Sequence, residues 1–291
     1  MPSHLHDGVC YEDIYYRVPD GLTLYARDYR GPHDDAPVVL CMHGLTRNSR
    51  DFEPLAPLLA QTHRVLVPEQ RGRGNSEYDS DLQRYQPQTY VGDMMFLLES
   101  QGITRCAAVG TSMGGLMAMG MNALTPTLFS HVVLNDIGPV VAEAGLNRIK
   151  QYVGSVSEFD NWEQAIEYAR TVNGAAFPNS TEQDWRWFAQ RICSERDGKV
   201  VLDYDVNLST PMKADDTAAV PLDLWPLFDA MAGISVLLIR GGISDLLDTE
   251  TVTAMHKRHP GLEYLEVPEV GHAPILNEAG VSEAIAEFIN R

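Results

Sequence analysis

The chain has 291 residues, of which 44% are hydrophobic and 21% charged, a composition that suits a globular protein whose core needs no disulfide or metal. Its formal net charge of −18 argues against nucleic acid and anionic membranes as partners, because both are bound by clusters of Lys and Arg. We expect no signal peptide and no membrane span, and the four scattered cysteines form no CxxC pair, so a cytoplasmic protein with free thiols is predicted.

The first predicted elements are a β-hairpin and two buried strands. The stretch "IYYRVPDGLTLYARDY" alternates apolar and polar residues on both sides of a PDG turn, which is typical of a hairpin. The apolar runs "APVVLCMHG" and "RVLVPE" predict strands buried on both faces, as in a parallel sheet. Between them, "SRDFEPLAPLLAQ" has helical spacing that begins near Ser49.

The next part of the chain alternates helix and strand. An amphipathic helix is predicted in "TYVGDMMFLLESQG", ending at Gly102. It is followed by a strand in "RCAAVG", a helix in "MGGLMAMGMNAL" and a strand in "HVVLND". This alternation predicts an α/β fold built on a doubly wound, mostly parallel sheet.

The alternation breaks off for about ninety residues and then resumes. Three helix-like pieces, "VAEAGLNRIKQYVG", "NWEQAIEYARTVN" and "TEQDWRWFAQRIC", follow one another with no clean strand between them. Strand and helix patterns return in "ISVLLIRG", "DTETVTAMHKRH", "LEYLEV" and "VSEAIAEFINR". We therefore predict an α/β core formed by residues 1–137 and 227–291, with a helical insertion at 138–226.

The motif "GTSMG" lies between a predicted strand and a predicted helix. It has the form G-x-S-x-G, in which glycines allow strand and helix backbones to approach closely around a strained turn. Ser112 would then project its hydroxyl towards the N-terminus of the next helix, where a developing negative charge is stabilised. We predict that Ser112 is a nucleophile.

A nucleophilic serine needs a base and an acid that orients the base. In this architecture the chain order is serine, acid, histidine, with acid and histidine on loops that follow the last strands. His272 follows the last predicted strand and Asp245 follows the strand before it, so these two residues complete the predicted triad. Asp136, at an earlier strand end, and Asp248 remain alternatives for the acid.

Catalysis at a carbonyl also needs backbone N–H groups that stabilise the oxyanion. Met113 directly follows the nucleophile, and Leu45 follows the pair His43–Gly44 at the end of a strand, so we predict that their N–H groups form the oxyanion hole. His43 is expected to be a structural residue of that loop. No His, Cys or Asp cluster has metal-ligand spacing, so neither a metal nor another cofactor is predicted.

Taken in order, the segments "HGLTRN", "PEQRGRGNS", "VGTSMGG", "GISDLL" and "VGHAP" resemble the α/β-hydrolase family. Glu69 stands where the family's D-x-R-G-x-G-x-S loop usually has Asp, and Arg71 of the same loop is expected to be structural. By this resemblance the insertion would be a helical cap over the active site, and family members whose nucleophile is Asp are disfavoured by Ser112.

The resemblance implies a serine hydrolase that cleaves a carboxylic ester of small to medium size. Lactone or C–C bond hydrolysis with the same triad remains an alternative, as does a ligand-binding protein on the same fold. Arg47 and Trp187 are the residues predicted to bind substrate, Arg47 through a carboxylate. The acyl and alcohol groups and the oligomeric state are not fixed by the sequence.

Overall fold

The structure, a computed structural model, describes residues 3–6, 9–214 and 223–291. This part of the chain contains twelve strands and ten α-helices. The strands are β1 (Ser3–His6), β2 (Val9–Arg17), β3 (Thr23–Tyr29), β4 (Val38–Met42), β5 (Arg64–Glu69), β6 (Cys106–Thr111), β7 (Phe129–Asn135), β8 (Glu158–Phe159), β9 (Cys193–Arg196), β10 (Lys199–Leu202), β11 (Ser235–Gly241) and β12 (Glu263–Val267).

The α-helices vary from four to fourteen residues. They are α1 (Ala56–Leu59), α2 (Pro87–Ser100), α3 (Met113–Leu124), α4 (Glu143–Tyr152), α5 (Trp162–Asn173), α6 (Glu182–Ile192), α7 (Ser209–Ala214), α8 (Trp225–Asp229), α9 (Thr249–Arg258) and α10 (Val281–Ile289). The single helix predicted from Ser49 is instead a short 3₁₀ turn, Ser49–Phe52, followed by α1. Pro54 lies between the two and lacks the N–H that a continuous helix would need.

Nine of the strands form one sheet in the order β1-β2-β3-β5-β4-β6-β7-β11-β12. The first three are antiparallel to their neighbours, and all pairs from β5 to β12 are parallel. The predicted hairpin is therefore present as β2 and β3, and the predicted mostly parallel α/β sheet is confirmed. In a parallel sheet the strand ends that carry functional loops all meet at one edge.

Apolar residues cover both faces of the sheet. Along β4, Leu40 and Met42 belong to one buried cluster while Val39 and Cys41 belong to the other, as the alternation of a strand requires. Helices α2, α3 and α9 contribute to the first cluster, and α1 and α10 contribute to the second. Cys41, Cys106 and Cys193 are buried free thiols, whereas the side chain of Cys10 lies outside the described residues.

The segment between β7 and β11, called the insertion below, is not purely helical. A three-stranded antiparallel sheet, in the order β8-β10-β9, accompanies its helices, so the prediction of a helical insertion is incomplete. The strands have only two to four residues, too few for a clear periodicity. The sequence does contain a local signal, the pair Asp197–Gly198, because Asp-Gly is typical of tight hairpin turns. Both residues have positive φ in the turn that joins β9 to β10.

The insertion is attached to the core at several points around the C-terminal edge of the sheet. Gly74 donates its N–H to the Asp203 carbonyl at 2.9 Å, and Asp205 donates to the Gly72 carbonyl at 2.8 Å. On another side, Gly271 donates to the Ala176 carbonyl at 2.6 Å. The predicted end of the insertion at residue 226 falls inside α8, which packs against α3 of the core, and residues 215–222 lie outside the described part.

Candidate active site

Ser112 occupies a strained turn between β6 and α3. Its φ is 52° and its ψ is −114°, a backbone conformation that residues with a side chain rarely adopt. Glycines make this turn possible, because a Cβ on Gly114 would lie 2.0 Å from the Met42 carbonyl oxygen and one on Gly110 would lie 2.5 Å from the backbone of Gly114. The close packing of α3 against β4 and β6 therefore holds the serine at the edge of the sheet.

The Ser112 hydroxyl contacts the imidazole of His272. Nε2 of His272 lies 2.9 Å from Ser112 Oγ, and Nδ1 lies 2.8 Å from Oδ2 of Asp136. Because an ionised carboxylate can only accept, the Nδ1 atom carries the proton and Nε2 is left to accept from the serine hydroxyl. The structure thus brings together Ser112 and His272, which lie 160 positions apart in the chain.

Asp136 is fully buried, and its carboxylate accepts hydrogen bonds from three donors. Its Oδ1 accepts from Gly241 N at 2.8 Å, and its Oδ2 accepts from Ser244 Oγ at 2.6 Å as well as from His272. A φ of 55° turns the chain sharply after β7 and aims the carboxylate at the imidazole. The charge is desolvated but hydrogen-bonded, which is how proteins retain a buried carboxylate.

Asp245, the predicted partner of His272, is directed elsewhere, and this assignment is corrected by the structure. Its carboxylate accepts two hydrogen bonds from Arg148 of α4, at 2.6 and 2.9 Å, and its side chain is 36% exposed. The hydrogen bonds from Arg148 lower the pKa of the Asp245 carboxyl below its ordinary value. Asp248, the other alternative, caps α9 by accepting from Thr251 N at 2.6 Å.

A local signal for Asp136 was present in the sequence. Asp136 directly follows the last residue of β7, and Asn and Asp are the residues that best tolerate a left-handed turn at such a place. Because β7 lies between β6 and β11 in the sheet, its end is next to the serine turn. What the sequence could not reveal is Arg148, which lies on the insertion and engages Asp245.

The loop after β4 lies beside the serine. A Cβ on Gly44 would be 3.8 Å from Ser112 Cβ, and within the described part of the chain the backbone N–H groups of Leu45 and Met113 donate to no protein acceptor. His43 fixes the peptide that contains the Leu45 N–H, since its ring nitrogen Nδ1 lies 2.7 Å from the Gly44 carbonyl oxygen. Gln70 N donates to Nε2 of the same ring at 3.1 Å.

His43 is fully buried, and burial lowers its pKa to about 4. The neutral ring is therefore the form present at neutral pH, with Nε2 as acceptor and Nδ1–H as donor. This places His43 in the structural role that the sequence predicted for it.

The loop after β5 is held by buried ion pairs and hydrogen bonds. Arg71 is almost completely buried and contacts three carboxylates, those of Asp20, Asp79 and Asp93. Glu69 accepts from Ser49 Oγ, Ser49 N and Asn75 N, while burial raises the pKa of its carboxyl. Both residues are therefore part of the loop's internal framework.

A pocket opens above Ser112 between the sheet edge and the insertion. Its empty volume, with the open solvent at its mouth included, is about 880 Å³. The apolar part of its wall comes mainly from the insertion, in Ile149, Val172, Phe177, Phe188, Ile192 and Leu202. Its polar groups, besides Ser112 and His272, are Thr46, Arg47, Asp51, Thr111, Tyr152, Tyr168, Asn173 and Tyr204.

The two predicted substrate-binding residues differ in position. Arg47 lines the pocket, but its guanidinium is paired with the Asp51 carboxylate at 2.6 to 3.0 Å and lies over the ring of Phe188. Trp187 does not line the pocket, and its ring instead stacks beneath the guanidinium of Arg191 at 3.4 Å. The assignment of Trp187 is therefore wrong, because α6 turns the neighbouring Phe188 towards Ser112.

Two features are absent from the described residues. No three His, Cys, Asp or Glu side chains there are arranged so that they could hold a metal ion. In the same part of the chain, no helix combines the length and apolar character that a membrane crossing requires.

Comparison with known proteins gives three informative similarities. A model of the alpha/beta hydrolase family matches residues 38–284. The 3-hydroxybutyrate-oligomer hydrolase of Cupriavidus necator is 36% identical over 263 residues, which cover 88% of this chain and 89% of that protein. The 2-(acetamidomethylene)succinate hydrolase of Mesorhizobium japonicum is 26% identical over 281 residues, with 95% of each chain covered.

Solved structures agree with this comparison. The crystal structure of an alpha/beta hydrolase from Novosphingobium aromaticivorans superposes with a TM-score of 0.90 at 42% identity, covering 96% of this chain and 98% of that one. The structure of E-2-(acetamidomethylene)succinate hydrolase superposes with a TM-score of 0.79 at 25% identity, covering 96% and 100%.

Proposed function

The chain belongs to the alpha/beta hydrolase family, and we propose that within this family it is a serine hydrolase that cleaves carboxylic esters. The observation that carries the proposal is the hydrogen-bonded series Ser112, His272 and Asp136, of which Ser112 and His272 line the pocket. The same three groups in this order activate a hydroxyl for attack on a carbonyl in other folds.

Acylation follows from the proton positions in this series. Ser112 Oγ attacks the ester carbonyl carbon while its proton passes to Nε2 of His272. Asp136 holds the tautomer with the proton on Nδ1 and stabilises the imidazolium that forms. The carbonyl oxygen becomes an oxyanion, which accepts from the free N–H groups of Leu45 and Met113. The C–O bond to the alcohol then breaks, and the imidazolium returns its proton to the leaving oxygen.

Deacylation repeats these steps with water. His272 Nε2 removes a proton from a water molecule, whose oxygen attacks the acyl carbon of the ester on Ser112. The second tetrahedral intermediate collapses, the bond between the acyl carbon and Ser112 Oγ breaks, and the proton on His272 passes to that oxygen. In this scheme the insertion acts as a cap whose apolar side chains exclude bulk water from the acyl group.

Short oligoesters of hydroxy acids are our candidate substrates. The C. necator relative is named for hydrolysis of 3-hydroxybutyrate oligomers, which consist of small apolar units joined by esters. The pocket offers apolar walls for such units, and Tyr152, Tyr168 and Tyr204 are among the residues that line it. Lactones and C–C substrates are the alternatives that the same triad could process.

The test begins with covalent labelling by a small fluorophosphonate, read by intact mass and peptide mapping. We expect one adduct on Ser112 that is absent in Ser112→Ala and slower to form in His272→Ala. Purified enzyme is then assayed on 3-hydroxybutyrate dimers and trimers, p-nitrophenyl esters of increasing acyl length, a lactone series and a C–C ring-cleavage product.

The outcomes separate the proposals. Labelling together with ester turnover supports the serine esterase, and the oligoester assay tests the preferred substrate. Labelling with turnover of only the lactones or the C–C substrate would replace the ester proposal by that alternative. A folded protein that is neither labelled nor active would contradict the serine hydrolase and favour a ligand-binding protein.

A further inference from the structure

Arg73 lies in the loop after β5 and is completely buried. In the described part of the chain no carboxylate oxygen lies within 4.0 Å of its guanidinium. Arg71, two residues earlier, is buried to the same degree but contacts three aspartates. Burial of a cation without an anion is costly in free energy. The ion pairs that explain the burial of Arg71 therefore do not explain that of Arg73.

The contacts of Arg73 lead to the two residues that flank the proposed oxyanion site. Its Nε donates to the Leu45 carbonyl oxygen at 2.9 Å, and its Nη2 lies 3.8 Å from the sulfur of Met113. Its Nη1 donates to the Arg71 carbonyl at 2.7 Å, which fixes the guanidinium in its own loop. The ring of Tyr90 lies beneath the guanidinium at 4.6 Å and supplies a face that attracts the cation.

We propose that Arg73 is a positioning residue of the oxyanion site, an inference that rests on the proposed serine hydrolase. His43 holds the carbonyl of Gly44, and Arg73 holds the carbonyl of Leu45, so both peptide groups adjacent to Leu45 are fixed. The Leu45 N–H then keeps its direction while charge develops on the substrate oxygen. The positive charge of Arg73 also favours that oxyanion, since no carboxylate oxygen of the described residues lies within 4.0 Å to neutralise it.

The effect should fall on the transition state more than on substrate binding. Arg73 does not line the pocket, so it has no contact with the ground-state ester. Its loss should therefore lower kcat and leave KM nearly unchanged, the signature of an interaction that is made in the transition state alone. Removing a direct oxyanion donor costs about 10²- to 10³-fold, and for a residue acting through such a donor we expect about 10- to 100-fold.

The experiment compares wild type with two variants. Arg73→Met removes the charge and the hydrogen bonds to the carbonyls of Leu45 and Arg71, and Arg73→Lys keeps the charge. Asp79→Asn is the matched control, because it weakens the ion pairs of Arg71 in the same loop without touching Leu45 or Met113. Rates are expressed per active site titrated with the fluorophosphonate, so that misfolded protein does not count. Affinity for a trifluoromethyl ketone, which forms a tetrahedral oxyanion adduct with serine, is measured in parallel.

We expect Arg73→Met to lose about 10- to 100-fold in kcat and a similar factor in trifluoromethyl ketone affinity, with KM within about threefold of wild type. Arg73→Lys should recover part of both losses, and Asp79→Asn should lower Tm while keeping kcat per titrated site. Should Arg73→Met fail to fold, the inference is tested with Arg73→Lys alone. This variant keeps the charge but has no Nε–H to donate to the Leu45 carbonyl. If kcat and ketone affinity of the folded variants stay within threefold of wild type, the inference is overturned, whatever their Tm. An inactive, unlabelled wild type would instead contradict the proposed function itself.

Discussion

Arg148 and Asp245 form a bidentate ion pair that joins α4 of the insertion to the loop after β11. Two backbone hydrogen bonds, from Gly145 N to the Asp245 carbonyl and from Ala142 N to the Leu246 carbonyl, reinforce the same attachment. The carboxylate that stands at the expected place for a triad acid therefore holds the insertion on the core. Ser244, its neighbour, instead donates to Asp136.

This arrangement predicts a clear difference between two substitutions. Asp136→Asn should lower kcat by about 10⁴-fold, since an amide no longer selects the tautomer that leaves Nε2 of His272 free. Asp245→Asn should keep kcat within about tenfold, because its carboxylate does not contact His272. The measurement is kcat per fluorophosphonate-titrated site for both variants. A larger loss in Asp245→Asn than in Asp136→Asn would reverse the assignment of the acid.

Local patterns were enough to select Ser112 and His272, which the structure brings together, whereas the partner of Asp245 is a distant residue. The glycines around Ser112 and the position of His272 after the last strand are features of a few consecutive residues. Asp245 is engaged by Arg148, which lies 97 positions away, while Asp136 contacts His272. A sequence pattern contains no information about such a pair until the insertion is folded onto the core.

The sequence also did not allow a prediction of which side chains of α6 face the pocket. Trp187 and Phe188 are neighbours with similar apolar character, and the choice of which one faces the pocket depends on how the helix is docked. Phe188 packs with Phe177 and Trp185, whereas Trp187 stacks with Arg191, which in turn pairs with Glu53 of the core. That last ion pair connects the insertion with a residue more than a hundred positions away.

His43 predicts a specific dependence of stability on pH. Burial lowers its pKa to about 4 from an ordinary value of 6.5, so below pH 6.5 the unfolded chain binds a proton that the folded chain refuses. The contribution of His43 is therefore complete above pH 6.5 and is lost as the pH falls towards 4, by up to about 3 kcal/mol.

The test is urea denaturation of wild type and His43→Gln at several pH values between 4 and 7.5. Glutamine can donate to the Gly44 carbonyl and accept from Gln70 N, but it does not titrate in this range. We expect the free energy of unfolding to fall more steeply with decreasing pH in wild type than in the variant. Parallel curves would mean that His43 is not responsible for any of the slope.

The Arg47–Asp51 pair predicts how the pocket discriminates charge. Because Asp51 accepts from Arg47 in bidentate geometry, the pair presents little net charge to a ligand. Asp51→Asn should leave the arginine unpaired and raise kcat/KM for esters that carry a carboxylate, relative to neutral esters of equal length, by about 10-fold.

Two further variants complete this test. Arg47→Ala should raise KM for carboxylate-bearing esters more than for neutral ones, because the unpaired Asp51 repels them, and the double variant, in which neither charge remains, should lie between the two single variants. The measurement is the ratio of kcat/KM for matched substrate pairs at low and at high salt, because the gain in Asp51→Asn should shrink as ionic strength rises. An unchanged ratio in Asp51→Asn would show that Arg47 does not reach the ligand.

Asn135 connects the loops that carry the three site residues, and it predicts a loss of activity separate from a loss of stability. Its carbonyl accepts from Ser112 N at 2.9 Å, and its side-chain nitrogen donates to Thr111 Oγ1 at 3.0 Å and to the Pro274 carbonyl at 2.8 Å. Asn135→Ala leaves the Pro274 carbonyl without its donor and frees the loop of His272. We expect kcat to fall about tenfold, because small displacements of an oriented base are costly.

Asn122→Ala is the matched control for this last prediction. Asn122 is also fully buried and donates to the Ala230 carbonyl at 2.9 Å, but that bond joins α3 to the end of α8. Both variants should lose about 1–3 kcal/mol in the free energy of unfolding, the usual cost of an unsatisfied buried group. Only Asn135→Ala should lose kcat per titrated site. Equal kcat values in the two variants would reduce Asn135 to a structural residue, since the shared loss of stability would then account for its whole effect.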